Sequence, residues 1–150
     1  MMKQLMVSVL LLVAARATAQ QPGIIGQWKT VDDETGRVKS IVEITERNGR
    51  YFGQIVELFR LPDEDQNPRC TECDDDRKDQ PAFGMEIVRD MVQNDEMLEW
   101  QDGTVCDPKN GKVYDCEMWI EEDDPNTLHV RGYILFLFRT QEWHRVNRTG

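Results

Sequence analysis

Histidine is nearly missing from this 150-residue chain, which holds only His129 and His144. There is no Gly-x-Ser-x-Gly elbow either, so the nucleophile–base pairs of common hydrolases have no footing. Basic side chains are scarce as well, 18 Lys and Arg against 28 Asp and Glu. Such an acidic surface repels a nucleic-acid backbone or an anionic lipid face as the main partner. The longest apolar run is Leu5–Ala15, eleven residues, too short for a bilayer span of roughly 20. No sustained 3.6-residue period, internal repeat or low-complexity linker breaks the chain, so one domain is expected.

What is present begins with a leader. Lys3 precedes the apolar run, and Ala17-Thr18-Ala19 follows it as a small-x-small cleavage site. The layout predicts a signal peptide over residues 1–19 and export of residues 20–150 to a periplasmic or secreted destination. Removing Lys3 and Arg16 with the leader leaves a formal charge of −12 on 131 residues. In an oxidising compartment, Cys70, Cys73, Cys106 and Cys116 read as disulfides before they read as metal ligands. Four cysteines allow three pairings. Short loops favour Cys70–Cys73 and Cys106–Cys116.

The period of the mature chain is two. Strand-like runs cover 24–31, 38–45, 51–59, 84–92, 97–101, 112–120, 127–134 and 138–146, with Val105-Cys106 between Asp102-Gly103 and a turn at 107–111. Asn48-Gly49 marks a tight hairpin. Eight or nine short strands with turn chemistry between them predict an all-β fold. They must bury their edges, which a single antiparallel up-and-down barrel or a sandwich achieves. Residues 61–81 interrupt the rhythm as a long acidic loop containing the Cys pair.

Gly26-x-Trp28 resembles the opening of lipocalin-type barrels, whose Trp plugs one end and is covered by an Arg of the last strand. Arg145 matches that Arg. A longer ordered series runs through Gly26-Gln27-Trp28-Lys29-Thr30, Lys39 to Ile44, Asn48-Gly49, Gly53 to Val56, Cys70-x-x-Cys73 and Gln80-Pro81-x-x-Gly84-Met85. It continues with Asp107-Pro108-x-Asn110-Gly111-Lys112-x-Tyr114, Val130 to Tyr133 and Arg139-Thr140-Gln141-x-Trp143-x-Arg145. This series resembles the exported bacterial family catalogued as domain of unknown function 2147. The resemblance implies no assigned reaction, so no catalytic residue and no cofactor carry over. Cys106 departs from the family pattern, which has an aliphatic residue there, and Leu135 from a place often held by Gly.

Strand parity puts Arg139, Gln141, Trp143 and Arg145 on one face of the last strand. If Arg145 covers Trp28, that face is internal. With Arg131 and Tyr133 of the preceding strand, Gln141 and Trp143 would line a polar-aromatic pocket for a small polar or amphipathic ligand. The blander reading is a satisfied buried network, with Arg131 paired to an acid such as Glu43 in a filled, envelope-associated interaction module. Asp63-x-Asp65-x-Asn67 has half the pattern of a calcium loop, but Pro68 stands where Gly is needed. The acids around Cys70-x-x-Cys73 favour a structural bridge over a redox centre. A small exported ligand-binding barrel is the first expectation.

Overall fold

A computed structural model of the chain describes residues 23–94 and 98–147. The leader and its cleavage site and the start of the run at 97 lie outside the described residues. Eight strands follow one another: β1 Gly26–Val31, β2 Val38–Arg47, β3 Arg50–Leu58, β4 Glu86–Asn94, β5 Glu99–Cys106, β6 Val113–Glu121, β7 Asp124–Ile134 and β8 Leu137–Arg145. Each pairs antiparallel with the next, and β8 returns to β1, so the sheet is a closed up-and-down barrel. Among the described residues no helix is long and apolar enough to cross a membrane.

Local chemistry explains the turns. Asn48 and Gly49 both take positive φ, 53° and 77°, so Arg47 pairs directly with Arg50 across a two-residue turn. Asp102-Gly103 does not end a strand as expected. Asp102 adopts φ 65° in a register shift between Trp100 and Gly103, and β5 continues through this bulge to Cys106. The turn between β6 and β7 is tight, because β7 already starts at Asp124 opposite Glu121, ahead of the run expected from 127.

Strand direction places the turns β1–β2, β5–β6 and β7–β8 and the β3–β4 connection at one end, here called the loop end. At the other end Trp28 is fully buried, and its indole N–H donates to the Ile24 carbonyl at 2.8 Å. Trp28 lies opposite Arg145, whose guanidinium carbon sits 4.2 Å from the ring centroid. Arg145 also donates to the carbonyls of Gly23 and Pro125, at 2.8 and 3.0 Å. The strands on each side are thereby tied across the closed end, over an aromatic surface taken out of water. Val42, Ile44, Ile55, Met91, Trp100, Met118, Leu128 and Trp143 fill the interior above it.

The long connection meets the turns of the loop end, with Glu64 accepting from Arg37 of the β1–β2 turn at 3.0 Å and Glu72 packed against Gly111 of the β5–β6 turn. It folds down the outer face of β4 and β5. Cys70 and Cys73 are bonded across a two-residue turn, with Cα atoms 5.4 Å apart. Arg77 is 5% exposed, paired with Asp75 and donating to the Glu86 carbonyl at 3.1 Å. Arg89 on β4 holds Asp76 through two bonds of 2.8 and 2.9 Å. These two arginines clamp the loop to the wall.

Candidate ligand cup at the loop end

Facing residues in a β-ladder share a side, so the register decides what lines the barrel. Leu128 pairs with Trp143, Val130 with Gln141 and Gly132 with Arg139, and this set faces inward. The intervening pairs, His129 with Glu142, Arg131 with Thr140 and Tyr133 with Phe138, face outward. Gln141 and Trp143 therefore do share the interior, where the Trp143 indole N–H donates to Gln141 Oε1 at 3.3 Å. Arg131 and Tyr133 do not. The apolar parity of Leu128 and Val130 holds that side of β7 in the core, and the polar-aromatic side is left outside. Glu43 accepts from Gln27 Nε2 at 2.9 Å and is not the partner of Arg131.

Inward-facing residues differ along the barrel axis. Toward the closed end they are buried: Trp28, Val42, Ile44, Met91, Trp100, Leu128 and Trp143. Toward the loop end Leu58, Val105, Tyr114, Gly132 and Gln141 face inward and stay partly exposed. Partial exposure at these five positions, beside the buried Thr30, Ser40 and Cys116 of the same end, marks a candidate cup. Thr30 and Ser40 line its β1–β2 side, with their hydroxyls bonded to each other at 2.6 Å.

The wall is incomplete beside Gln141. β1 and β8 pair only at Trp28–Arg145 and Lys29–His144, leaving a seam toward the loop end. Arg139 bridges it, with Nε donating to Asp33 Oδ2 at 2.8 Å and a terminal nitrogen reaching the other carboxylate oxygen. That pairing holds the Asp33 carboxyl below its ordinary range. Hydrogen bonding to Arg77 holds Asp75 lower still, at about 2.

Cys106 and Cys116 are unbonded and buried, so the expected Cys106–Cys116 bridge is absent. The reason is register. Cys116 lies opposite Gly103, three residues from Cys106, so the two side chains leave opposite faces of the sheet. Cys116 points inward, and burial with a contribution from Glu117 pushes its thiol up to about 12. Cys106 points outward beneath the long loop, its sulfur 3.9 Å from that of Cys73. Burial raises its pKa too. Neither thiol has the lowered pKa that nucleophilic or redox work requires.

Among the described residues no group of three or more His, Cys, Asp or Glu side chains is arranged to hold a metal ion. In the Asp63-x-Asp65-x-Asn67 stretch, the Asp65 carboxylate instead accepts the backbone N–H of Asn67 at 2.9 Å. One interior group was not singled out by the sequence. The buried Trp100 indole N–H has no hydrogen-bond partner. Nothing local marks it, because its surroundings come from β3, β4 and β6.

A closed wall of eight antiparallel strands, stoppered at one end by Trp28 and Arg145, defines a lipocalin-like barrel. The chain belongs to the family described as "Uncharacterized protein conserved in bacteria (DUF2147)", whose model matches residues 26–145. Among solved structures, the protein HP1028 of Helicobacter pylori, described as belonging to the lipocalin family, is similar at TM-score 0.67. It is 16% identical, and the match covers 83% of each chain, so the likeness is one of fold. No curated protein matches the chain.

Proposed function

We propose that the protein is exported and binds a small amphipathic ligand in the loop-end cup. The carrying observation is the axial difference in burial: inward-facing side chains are sealed at the Trp28 end, whereas Leu58, Val105, Tyr114 and Gln141 are partly exposed at the other. The ligand's apolar body would lie on Leu58 and Val105, over a floor of buried Val130 and Trp143, with its polar head toward Gln141 and Arg139. Architecture is compatible with the reading, since an eight-stranded interior is either filled by side chains or holds one small ligand. The Leu5–Ala15 run before Ala17-Thr18-Ala19 supports export, as does the Cys70–Cys73 bond. The exported protein should begin at Gln20 by mass.

A dansyl-labelled fatty acid tests the cup. Trp143→Ala and Gln141→Leu should each weaken its binding at least tenfold while the barrel remains folded. Equal binding by both folded variants would overturn the assignment. The alternative class, a protein-interaction module with a filled barrel, draws on another part of the molecule, the exposed apolar tip of the β7–β8 hairpin.

A further inference from the structure

We propose that this hairpin tip, with the aromatic–arginine stripe behind it, docks a protein partner whose contact face is apolar and edged with lysine or arginine. Ile134, Leu135, Phe136, Leu137 and Phe138 are 39, 88, 86, 67 and 60% exposed. Five consecutive apolar side chains in water amount to roughly 600 Å² of surface, at or above the largest patch of an ordinary monomer. Leu135 also adopts φ 55°, a left-handed conformation that L side chains avoid. The positive φ closes the two-residue turn between Ile134 and Leu137, but that turn does not call for apolar side chains in water, and a patch this large is explained by something that covers it.

Behind the tip the outer face is organised in advance. The Arg131 guanidinium lies between two rings, 4.8 Å from the Trp119 centroid and 4.5 Å from that of Phe138. Thr140 Oγ1 accepts from Arg131 Nε at 2.7 Å, and Tyr133 donates its hydroxyl to Glu117 at 2.9 Å. Trp119 stacks on His129 at 5.0 Å. Trp, Tyr and Arg held in fixed geometry are the side chains that dominate binding energy at protein interfaces.

Charge selects the occupant. Asp115 and Glu117 edge the stripe on β6 and Glu142 edges it on β8, all exposed. None of the three forms an ion pair with a lysine or arginine among the described residues; Glu142 meets only His129, at 3.9 Å. On a chain of net charge −10 this acidic border repels anionic lipid. It would also face itself in a two-fold contact between copies. A basic-edged protein surface matches both the border and the apolar centre.

The probe is a fluorescein-labelled amphipathic peptide of leucine and lysine, compared with its leucine–glutamate twin, using the mature protein. Binding of the lysine peptide, weakening with salt and absent for the twin, is the expected result. Leu135→Gly and Phe136→Ser should each reduce affinity at least tenfold, and the double variant Glu117→Gln/Glu142→Gln should flatten the salt dependence. Leu135→Gly relieves the strained φ, so it should melt no lower than the parent, which separates lost docking from lost folding. Peptide affinity unchanged in Leu135→Gly and Phe136→Ser would overturn the proposal, as would equal binding of both peptides. So would tip-dependent binding to phosphatidylglycerol vesicles without peptide binding, or a dimer that Phe136→Ser abolishes.

Discussion

Replacing Arg145 by alanine tests the closure on which every inside–outside assignment rests. Its guanidinium stacks on Trp28 at 4.2 Å and donates to Gly23 and Pro125 across the closed end. Partial burial lowers its pKa through desolvation, so the charge is held at some cost and its contacts must exceed that cost. A half-buried cation–π contact contributes about 1 kcal/mol, and two charge-assisted bonds to carbonyls about 1 to 1.5 kcal/mol each. Truncation should therefore remove about 3 kcal/mol. With a urea slope of about 1.5 kcal/mol per molar for a domain of this size, the midpoint falls by about 2 M. Arg145→Lys keeps the charge but loses the fork, and should fall by about half as much. Paired with Trp28→Phe in a double-mutant cycle, Arg145→Ala should show a coupling of about 1 kcal/mol. Urea unfolding followed by tryptophan fluorescence and far-UV circular dichroism reads all three. A midpoint shift under about 0.5 M for Arg145→Ala, with no coupling to Trp28, would refute the stopper reasoning.

Acid should loosen the long loop first. Asp75 has its carboxyl lowered from 3.8 to about 2 by Arg77, so its contribution is full above pH 4 and is lost as pH falls through 2. Discounted for its exposure to solvent, that contribution is about 1 kcal/mol. Asp75→Asn should lose it at pH 6 and show little difference from the parent near pH 2, measured by urea midpoints. In the folded, unreduced protein iodoacetamide should leave Cys106 and Cys116 unmodified, and under denaturant it should add two groups by mass. No added group under denaturant would mean a Cys106–Cys116 bridge, which the register forbids. Leu135→Gly should stabilise by about 1 kcal/mol in thermal melts, by releasing a left-handed L residue. A lower melting temperature would show that the Leu135 side chain supports the fold after all.

The barrel was legible in the sequence because its signals are local. Period-two runs, Asn48-Gly49 and the pairing of Gly26-x-Trp28 with Arg145 need no knowledge of neighbours. The facing of the expected lining was legible only in part. Gln141 and Trp143 are inward as their parity with Arg145 required, whereas Arg131 and Tyr133 were placed by chemical type against the parity of Leu128 and Val130. A polar-aromatic pair looks like a pocket until the register supplies Trp119 and Phe138 from the flanking strands, on the outside. The cysteines erred in the same way: nearness along the chain favoured Cys106–Cys116, and an odd offset across the ladder separates them. Asp102-Gly103 carries the composition of a turn, and only the bulge geometry distinguishes it from one. Arg77 gave no signal, since its main anchor beyond Asp75 is the backbone carbonyl of Glu86.

The two ends of the barrel divide the labour in a way that accounts for the strained tip. Stability is concentrated where Trp28, Trp100, Met91, Met118 and Leu128 are sealed, and where Arg145 ties strands that are distant in sequence. The loop end adds less, since β1 and β8 part above Lys29 and are spanned there by the exposed Arg139–Asp33 pair. A domain stable by only 5–15 kcal/mol tolerates a left-handed leucine and five exposed apolar side chains only if its core does not depend on them. The cup and the apolar tip share that less constrained end, so a partner docked on Leu135 and Phe136 would sit beside the mouth. Mutating the stopper should therefore lower stability without changing peptide affinity in the remaining folded protein. Mutating the tip should do the reverse. If Arg145→Ala and Phe136→Ser instead move stability and peptide affinity together, the two ends are one cooperative unit and this division fails.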